Sequence, residues 1–390
     1  MSASTAIVLI VIMFALTFDF TNGFHDTANA MATSIATGAL KPRQAVAISG
    51  ALNFLGAFLG LSVAATIATG IVDARLVTTT TVFAGLVGAI TWNLLTWLLG
   101  LPSSSSHAIV GGTVGATIVQ AGAGAVNGTG ILSKVLIPAM ASPIIAGAGA
   151  ALAIWLSARI TRRNHEGFVL HGYKLGQILS ASMVSLAHGT NDAQKTMGII
   201  TLALIASGTI GAHAGTPFWV VAICAGAIAL GTYTGGWRVI RTLGKGVTEI
   251  STQQGFAAES ISSAVILGAS HLGFAVSTTQ VTSGSVLGVG LGKGAAVRWS
   301  VVGRMVTAWL ITLPVAATFG AAANTVARGV GGVTGVVITA ILAAGVFAGI
   351  FVISRRQPVT ADNVNAPIPA GARHALAFEA DEDAVAVAIA

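Results

Sequence analysis

Charge is what this chain most lacks. Only 8% of its 390 residues are Asp, Glu, Lys or Arg, against about 25% in an ordinary soluble domain. That scarcity excludes a water-soluble globule. A single cysteine, Cys224, excludes a disulfide framework and leaves the redox compartment open. The pI near 10.2 suggests nucleic acid at first sight. However, the basic residues sit in short loops, with no basic stripe and no aromatic platform for stacked bases, so no nucleic-acid partner is expected. No Lys or Arg precedes the first apolar run and no A-x-A-like site follows it, which argues against a cleaved signal peptide.

What is present in quantity is apolar: 54% hydrophobic residues, 49 glycines and a mean hydropathy of +0.85. Stretches of about 20 apolar residues recur along most of the length, each able to cross a hydrocarbon core. The expected class is an all-α polytopic membrane protein of roughly 10–12 transmembrane segments. Spans are expected over 6–33, 44–70, 77–100, 103–121, 132–159, 175–207, 217–236, 253–276, 277–292, 297–323 and 331–354. The stretches 103–121 and 277–292 open on polar residues and are short, so each either spans or re-enters. Abundant glycine points to close helix packing and broken helices.

Loop charge orients the chain. With the first loop cytoplasmic, that side collects Lys41, Arg43, Arg159, Arg162, Arg163, Lys174, Arg238, Arg241, Lys245, Lys293, Arg298, Arg355 and Arg356. The other side keeps only Arg75, Lys134 and Arg328. The positive-inside rule then puts the N-terminus outside and the C-terminus in the cytoplasm of a cell-membrane protein. Residues 355–390, which mix Pro, Ala and a short acidic cluster, read as a disordered cytoplasmic tail.

Polar residues inside such spans need a reason, since a carboxylate at bilayer depth costs at least ~2.5–3.5 kcal/mol. "NGFHDTANAMAT" at 22–33 returns as "HGTNDAQKTMGI" at 188–199, with Asp26 matching Asp192. Downstream, "PSSSSHAIVGGTVG" at 102–115 returns as "VSTTQVTSGSVLG" at 276–288, pairing Ser104, Ser105 and Ser106 with Ser277, Thr278 and Thr279. An odd number of expected crossings separates the copies, which makes 1–160 and 175–354 inverted-topology repeats joined by a cytoplasmic loop, 161–174. Secondary transporters place their sites where such repeats meet.

Asp19, Asn22, Asp26, Asn29 and Thr33 fall at helical steps and form one polar stripe; Ser185, His188, Asp192 and Lys195 form its counterpart. Facing stripes make an ion site, and hydroxyl-rich turns opening a helix suit an oxyanion. A lone membrane carboxylate is readily structural. Two at matched repeat positions are not.

These motifs resemble the inorganic phosphate transporter (PiT) family, whose mark is a duplicated G-x-N-D-x-x-N-A element with a P-[VI]-S-T-T-H-like element downstream. The likeness covers about residues 5–354 and is nearest the bacterial proton-coupled branch. It implies transport of inorganic phosphate, including metal–hydrogenphosphate complexes, by a homodimer without a resident metal or cofactor. It further implies phosphate ligands at Asp26, Asn29, Ser104, Ser105, Ser106, Asp192, Lys195, Ser277, Thr278 and Thr279. Asn22, His25, Asp26, Asn191, Asp192 and Glu259 are the candidates for handling a coupling ion.

The chain departs from the sodium-coupled pattern at His25, at Gln194-Lys195 and at Gln280. Hydrogenphosphate about 4 Å from a carboxylate meets roughly 4 kcal/mol of repulsion at an effective dielectric of 20. The Lys195 ammonium offsets that permanently where a sodium ion otherwise would. This favours a proton-coupled symporter working by alternating access over a sodium-coupled one. A sulfate permease of the same fold is the rival substrate reading. An intramembrane hydrolase built on "SSSSH" is the rival class, and the duplication of every element speaks against an enzyme. Glu259 is expected either on the ion path or paired with Arg304.

Overall fold

The computed structural model describes residues 3–162 and 166–366, and its regular structure is helical throughout. The first half contains α1 (Ala3–Ala36), α2 (Pro42–Gly56), α3 (Ser62–Thr69), α4 (Thr79–Leu98) and α5 (Ser105–Ala121). A short α6 (Gly128–Ile131) then runs through a π-helical turn, Leu132–Leu136, into α7 (Ile137–Thr161). In the second half come α8 (Glu166–Ala206), α9 (Phe218–Thr234) and α10 (Trp237–Arg241), the last continued by the π-helical turn Thr242–Gly246. It closes with α11 (Thr252–His271), α12 (Thr278–Gly292), α13 (Trp299–Val330) and α14 (Gly332–Ser354).

Local chemistry repeats with the fold. Thr78 and Ser251 open α4 and α11 with capping boxes, and Ser104 and Ser277 open α5 and α12 by accepting from the backbone N–H of His107 and Gln280. Two isolated antiparallel bridges, Val72 with Val126 and Thr248 with Val297, occupy matching places in the two halves.

Among the described residues, five helical stretches are long and apolar enough alone to cross a membrane: Ser4–Ala36, Thr79–Leu98, Gly128–Thr161, Trp299–Val330 and Gly332–Ser354. The pair α9–α10, bent by 59°, makes a sixth. The remaining expected spans are short, broken or polar. α5 has 17 residues and α12 only 15, while α8 and α11 carry buried Asp192, Lys195 and Glu259.

The expected continuous span 44–70 is two helices, α2 and α3, separated by residues 57–61. A break at membrane depth needs its backbone satisfied from elsewhere. Gln194 of α8 supplies this, its Oε1 accepting from the N–H groups of Val63 and Ala64 at 2.9 and 3.3 Å. Most of the connecting loop expected at 161–174 is likewise helical, since α8 begins at Glu166. Residues 357–366 are tied to the protein by hydrogen bonds and by buried Val364, where disorder is expected of the tail; 367–390 fall outside the described residues.

α1 and α8 cross antiparallel. Thr37 pairs with Gln177 at one end, Asn22 with Asp192 midway and Asp19 with Thr196 beyond it. The halves also exchange partners. Gly56 of α2 sits against α8, where an added Cβ would lie 2.2 Å from Leu186 O, and Gly231 of α9 sits against α1, 2.0 Å from Phe20 O. Gly115 of α5 meets Ala317 O of α13, and Gly288 of α12 meets Gly147 O of α7. Such approaches admit only glycine. Gly115→Val, whose Cβ would stand 1.9 Å from Ala317 O, is expected to cost at least about 1–3 kcal/mol of overpacking. A lower thermal midpoint or lost monodispersity in detergent is the measurement; an unchanged midpoint would mean that α5 and α13 are further apart.

Candidate functional site

The polar stripes of α1 and α8 meet at the start of α5 and α12. Asp26 accepts from Ser105 Oγ at 2.8 Å and Thr279 Oγ1 at 3.3 Å, one hydroxyl from each half, and its Oδ1 lies 2.5 Å from His25 Nδ1. Asp192 accepts from Lys195 Nζ at 2.6 Å, Asn22 Nδ2 at 3.3 Å and Thr278 Oγ1 at 3.4 Å. The pairing crosses between repeats: Lys195 donates to Ser106 Oγ of the first half at 2.5 Å, whereas its counterpart Asn29 donates to Thr278 and Thr279 of the second at 3.2 and 2.9 Å. Both carboxylates and the ammonium are fully or almost fully buried.

The site thus gathers Asp26, Asn29, Ser105, Ser106, Asp192, Lys195, Thr278, Thr279 and Asn22. Ser104 and Ser277 stand beside it as helix caps; a hydroxyl that caps by accepting keeps its own proton to donate. Lys195 and Ser106 both donate to Val276 O, at 3.1 and 3.0 Å, so the turn before α12 supplies an acceptor too.

Two expected residues reach outward from the centre, His25 while still touching Asp26 through its Nδ1. His25 turns its Nε2 towards Thr96 and Ser103, at 3.4 and 3.5 Å. Asn191 turns to Ser270 Oγ, at 2.7 Å, in the matching place of the other half. Glu259 is removed from the centre as well. Its partners are Thr33, Gln177 at 3.3 Å and Ser180 at 2.6 Å, with Arg304 not among them. Thr37 and Gln177 continue this polar chain, at 2.8 Å, towards the end of α1.

The repeat-equivalent positions on the opposite side are apolar. Ile199 stands as far beyond Asp192 as Thr33 beyond Asp26, and Leu86 as far beyond its cap Thr78 as Glu259 beyond Ser251. Phe14 precedes Asp26 by the step at which Ser180 precedes Asp192, and it packs edge-on against Phe83. One side of the centre is hydrogen-bonded and the other is apolar.

His188 belongs to the expected stripe but is not among the expected ligands. Its Nε2 lies 3.4 Å from Asp192 Oδ2 and 3.9 Å from Asp26 Oδ2, touching both repeats' carboxylates. Asn53 orients the ring: Asn53 Nδ2 donates to Thr232 Oγ1 at 3.1 Å, leaving its Oδ1 to accept from His188 Nδ1–H at 2.8 Å. That network assigns the ring proton to Nδ1. Nε2, and the amide oxygens of Asn22 and Asn29, are buried with no hydrogen-bond partner among the described residues. Ligand atoms of Asp26, His188 and Asp192 all lie within 4.8 Å of one another, a set able to hold a cation. The arrangement combines hydroxyl, amide and ammonium donors for an oxyanion with carboxylate and imidazole acceptors for a proton or metal.

Residues 22–320 match the sequence pattern of the Phosphate transporter family. The chain is 56% identical over 368 residues to a probable low-affinity inorganic phosphate transporter of Mycobacterium tuberculosis, covering 94% of this chain and 88% of that protein. It is 43% identical over 318 residues to a protein of the same description from Bacillus subtilis, covering 81% and 95%. Among solved structures, one titled "The sodium-dependent phosphate transporter" superposes with a TM-score of 0.72 at 26% identity, over 83% of this chain and 99% of that one.

Proposed function

The chain belongs to the phosphate transporter family and transports inorganic phosphate as a multi-pass membrane protein; from that premise we propose that it imports phosphate together with protons by alternating access. The observation that carries the coupling is Lys195. Its ammonium lies between Asp192 and Ser106, at 2.6 and 2.5 Å, a permanent cation on the seam of the two halves.

Phosphate sits, in this reading, among Ser105, Ser106, Thr278, Thr279, Asn29 and Lys195. The geometry supports a coupling step in this reading. Ser105 and Thr279 donate to Asp26, and protonating that carboxyl releases both hydroxyl protons to the arriving anion. Deprotonation draws them back to the carboxylate and expels the anion. Anion and proton therefore bind better together than apart, as symport requires. Hydrogenphosphate also brings a proton that a carboxylate accepts; sulfate brings none, so an acceptor favours phosphate.

A second reading concerns the cargo's form. With its ring proton on Nδ1, His188 presents a lone pair to two carboxylate oxygens, an arrangement relieved by a second proton or a metal ion. One nitrogen and two oxygens suit a divalent transition metal, so a metal–hydrogenphosphate complex fits here as substrate.

The face that carries Arg43, Arg238, Arg241, Lys245 and Arg298 is then cytoplasmic, the N-terminus is outside the cell membrane, and the protein works as a homodimer, as the family resemblance implies. Labelled-phosphate uptake into proteoliposomes tests the coupling. An inward proton gradient without sodium is expected to drive accumulation, and a sodium gradient at symmetrical pH is not. Uptake that needs sodium at every pH would overturn the proton-coupled reading.

A further inference from the structure

The chain beyond α14 turns back across the basic face and is held there from three sides. Arg238 of α10 donates to Ser354 O and Gln357 O at 2.8 and 2.6 Å. Arg241 donates to Asn363 O and Oδ1 at 2.6 and 3.1 Å, and Lys245, in the π-helical turn, to Asn365 O at 2.7 Å. Arg43, at the start of α2, pairs with Asp362 at 3.4 Å. Asn365 Nδ2 donates to Ile35 O near the end of α1, at 3.2 Å. Val364 is only 2% exposed and packs in the cluster that holds Met31, Ile35, Val239, Ile240 and Leu243.

These anchors lie at the end of α1 nearest Glu259 and its partners. The polar chain from Thr33 through Glu259 and Gln177 to Thr37 ends just past α1, beside the backbone that Asn365 grips. α10 is the bent half of a broken span that packs on α1 through Gly236, where an added Cβ would lie 1.9 Å from Phe24 O. Opening this face means parting α1 from α10. Residues 357–366 are fastened to both.

We propose that residues 357–366 form a strap that holds the basic-face gate shut, and that its release is an obligatory step of each transport cycle. The attachment is built to let go. Its hydrogen bonds, mainly to backbone carbonyls, are exposed or only half-buried, so water can replace them. Its ion pair, Arg43–Asp362, is 79% and 78% exposed, a class of contact that contributes little. Val364 is its main apolar anchor, a single side chain rather than an interface.

The proposal rests on the transport reading, and the test keeps the two apart. In the full chain, Arg43→Cys with Asp362→Cys places two thiols at exposed positions, while native Cys224 is buried and stays out of reach. Linking them with a short bifunctional methanethiosulfonate in proteoliposomes is expected to slow phosphate uptake several-fold relative to the unlinked double variant, and a reductant should restore it. In a second preparation Val364→Cys, 2% exposed at rest, is expected to react with maleimide faster during phosphate turnover than at rest. Full turnover in the linked protein, or thiol reactivity indifferent to turnover, would overturn the strap. A wild-type protein that moved no phosphate would instead overturn the transport reading.

Discussion

Asp26→Asn is expected to abolish phosphate uptake in a protein that still folds. The amide keeps the shape of the carboxyl and its oxygen still accepts a hydrogen bond, so Ser105 or Thr279 retains a partner. What disappears is the charge and the capacity to bind a proton. Hydrogen bonds to a charged group contribute about 1.5–3 kcal/mol each. Two such bonds, from Ser105 and Thr279, correspond to a rate loss on the order of 100-fold or more.

Asp192→Asn does not mirror it, although the repeat makes the two residues equivalent. Asp192 is the partner of a buried ammonium, and stranding one member of such a pair costs about 3–5 kcal/mol. Asp192→Asn is therefore expected to lose uptake and to lose more thermal stability than Asp26→Asn. Equal melting temperatures for the two variants would show that Lys195 does not depend on Asp192.

The second large effect belongs to Lys195→Asn. This change installs the residue type that stands at the matching position, Asn29, and removes the permanent cation from the centre. Asp192 keeps only the longer contacts from Asn22 and Thr278, at 3.3 and 3.4 Å. An arriving anion then faces an uncompensated carboxylate, worth roughly 4 kcal/mol at about 4 Å and an effective dielectric of 20. Uptake is expected to fall by a factor of about 100 or more at neutral pH. It should recover partly at acid pH, where protonating the carboxylate removes the repulsion, or with sodium added to occupy the vacated place. A variant that keeps wild-type uptake and pH profile would remove Lys195 from the coupling.

How far the sequence led follows from what each feature rests on. The stripes on α1 and α8 were legible because helical spacing alone aligns Asn22, Asp26 and Asn29, or His188, Asp192 and Lys195. Their cross-pairing was not. A repeat shows which residues are equivalent, but only the antiparallel crossing brings Asn22 to Asp192 and Asn29 to Thr279. For the same reason His188 passed as a member of a stripe, its contact with both carboxylates being set by Asn53 on another helix. Glu259 found Thr33, Ser180 and Gln177 on α1 and α8 rather than Arg304, because a buried carboxylate is satisfied by hydroxyls and amides as well as by a cation.

The break inside 44–70 gave little signal, since "FLGAFLGLS" has the hydropathy of a span and its stray amides are answered from Gln194. The docked part of the tail was hidden for a related reason. Arg238, Arg241 and Lys245 grip it mainly by backbone carbonyls, which every sequence possesses.

The exchange of partners between halves also bears on how the chain is made. A ribosome delivers α1 to α7 before α8 exists, so the first half enters the bilayer with Gly56 and Gly115 lacking the helices they fit. Asp26 waits in lipid with its own half's Ser105 and His25, but without Thr279. The second half cannot be assembled as a separate unit beside it, because α8 must slide against α2, α9 against α1 and α12 against α7. Insertion and folding are therefore separate events for this protein. The early spans must be held, by the insertion machinery or by transient pairing among themselves, until synthesis has passed α13 and both halves can close around the carboxylates at once.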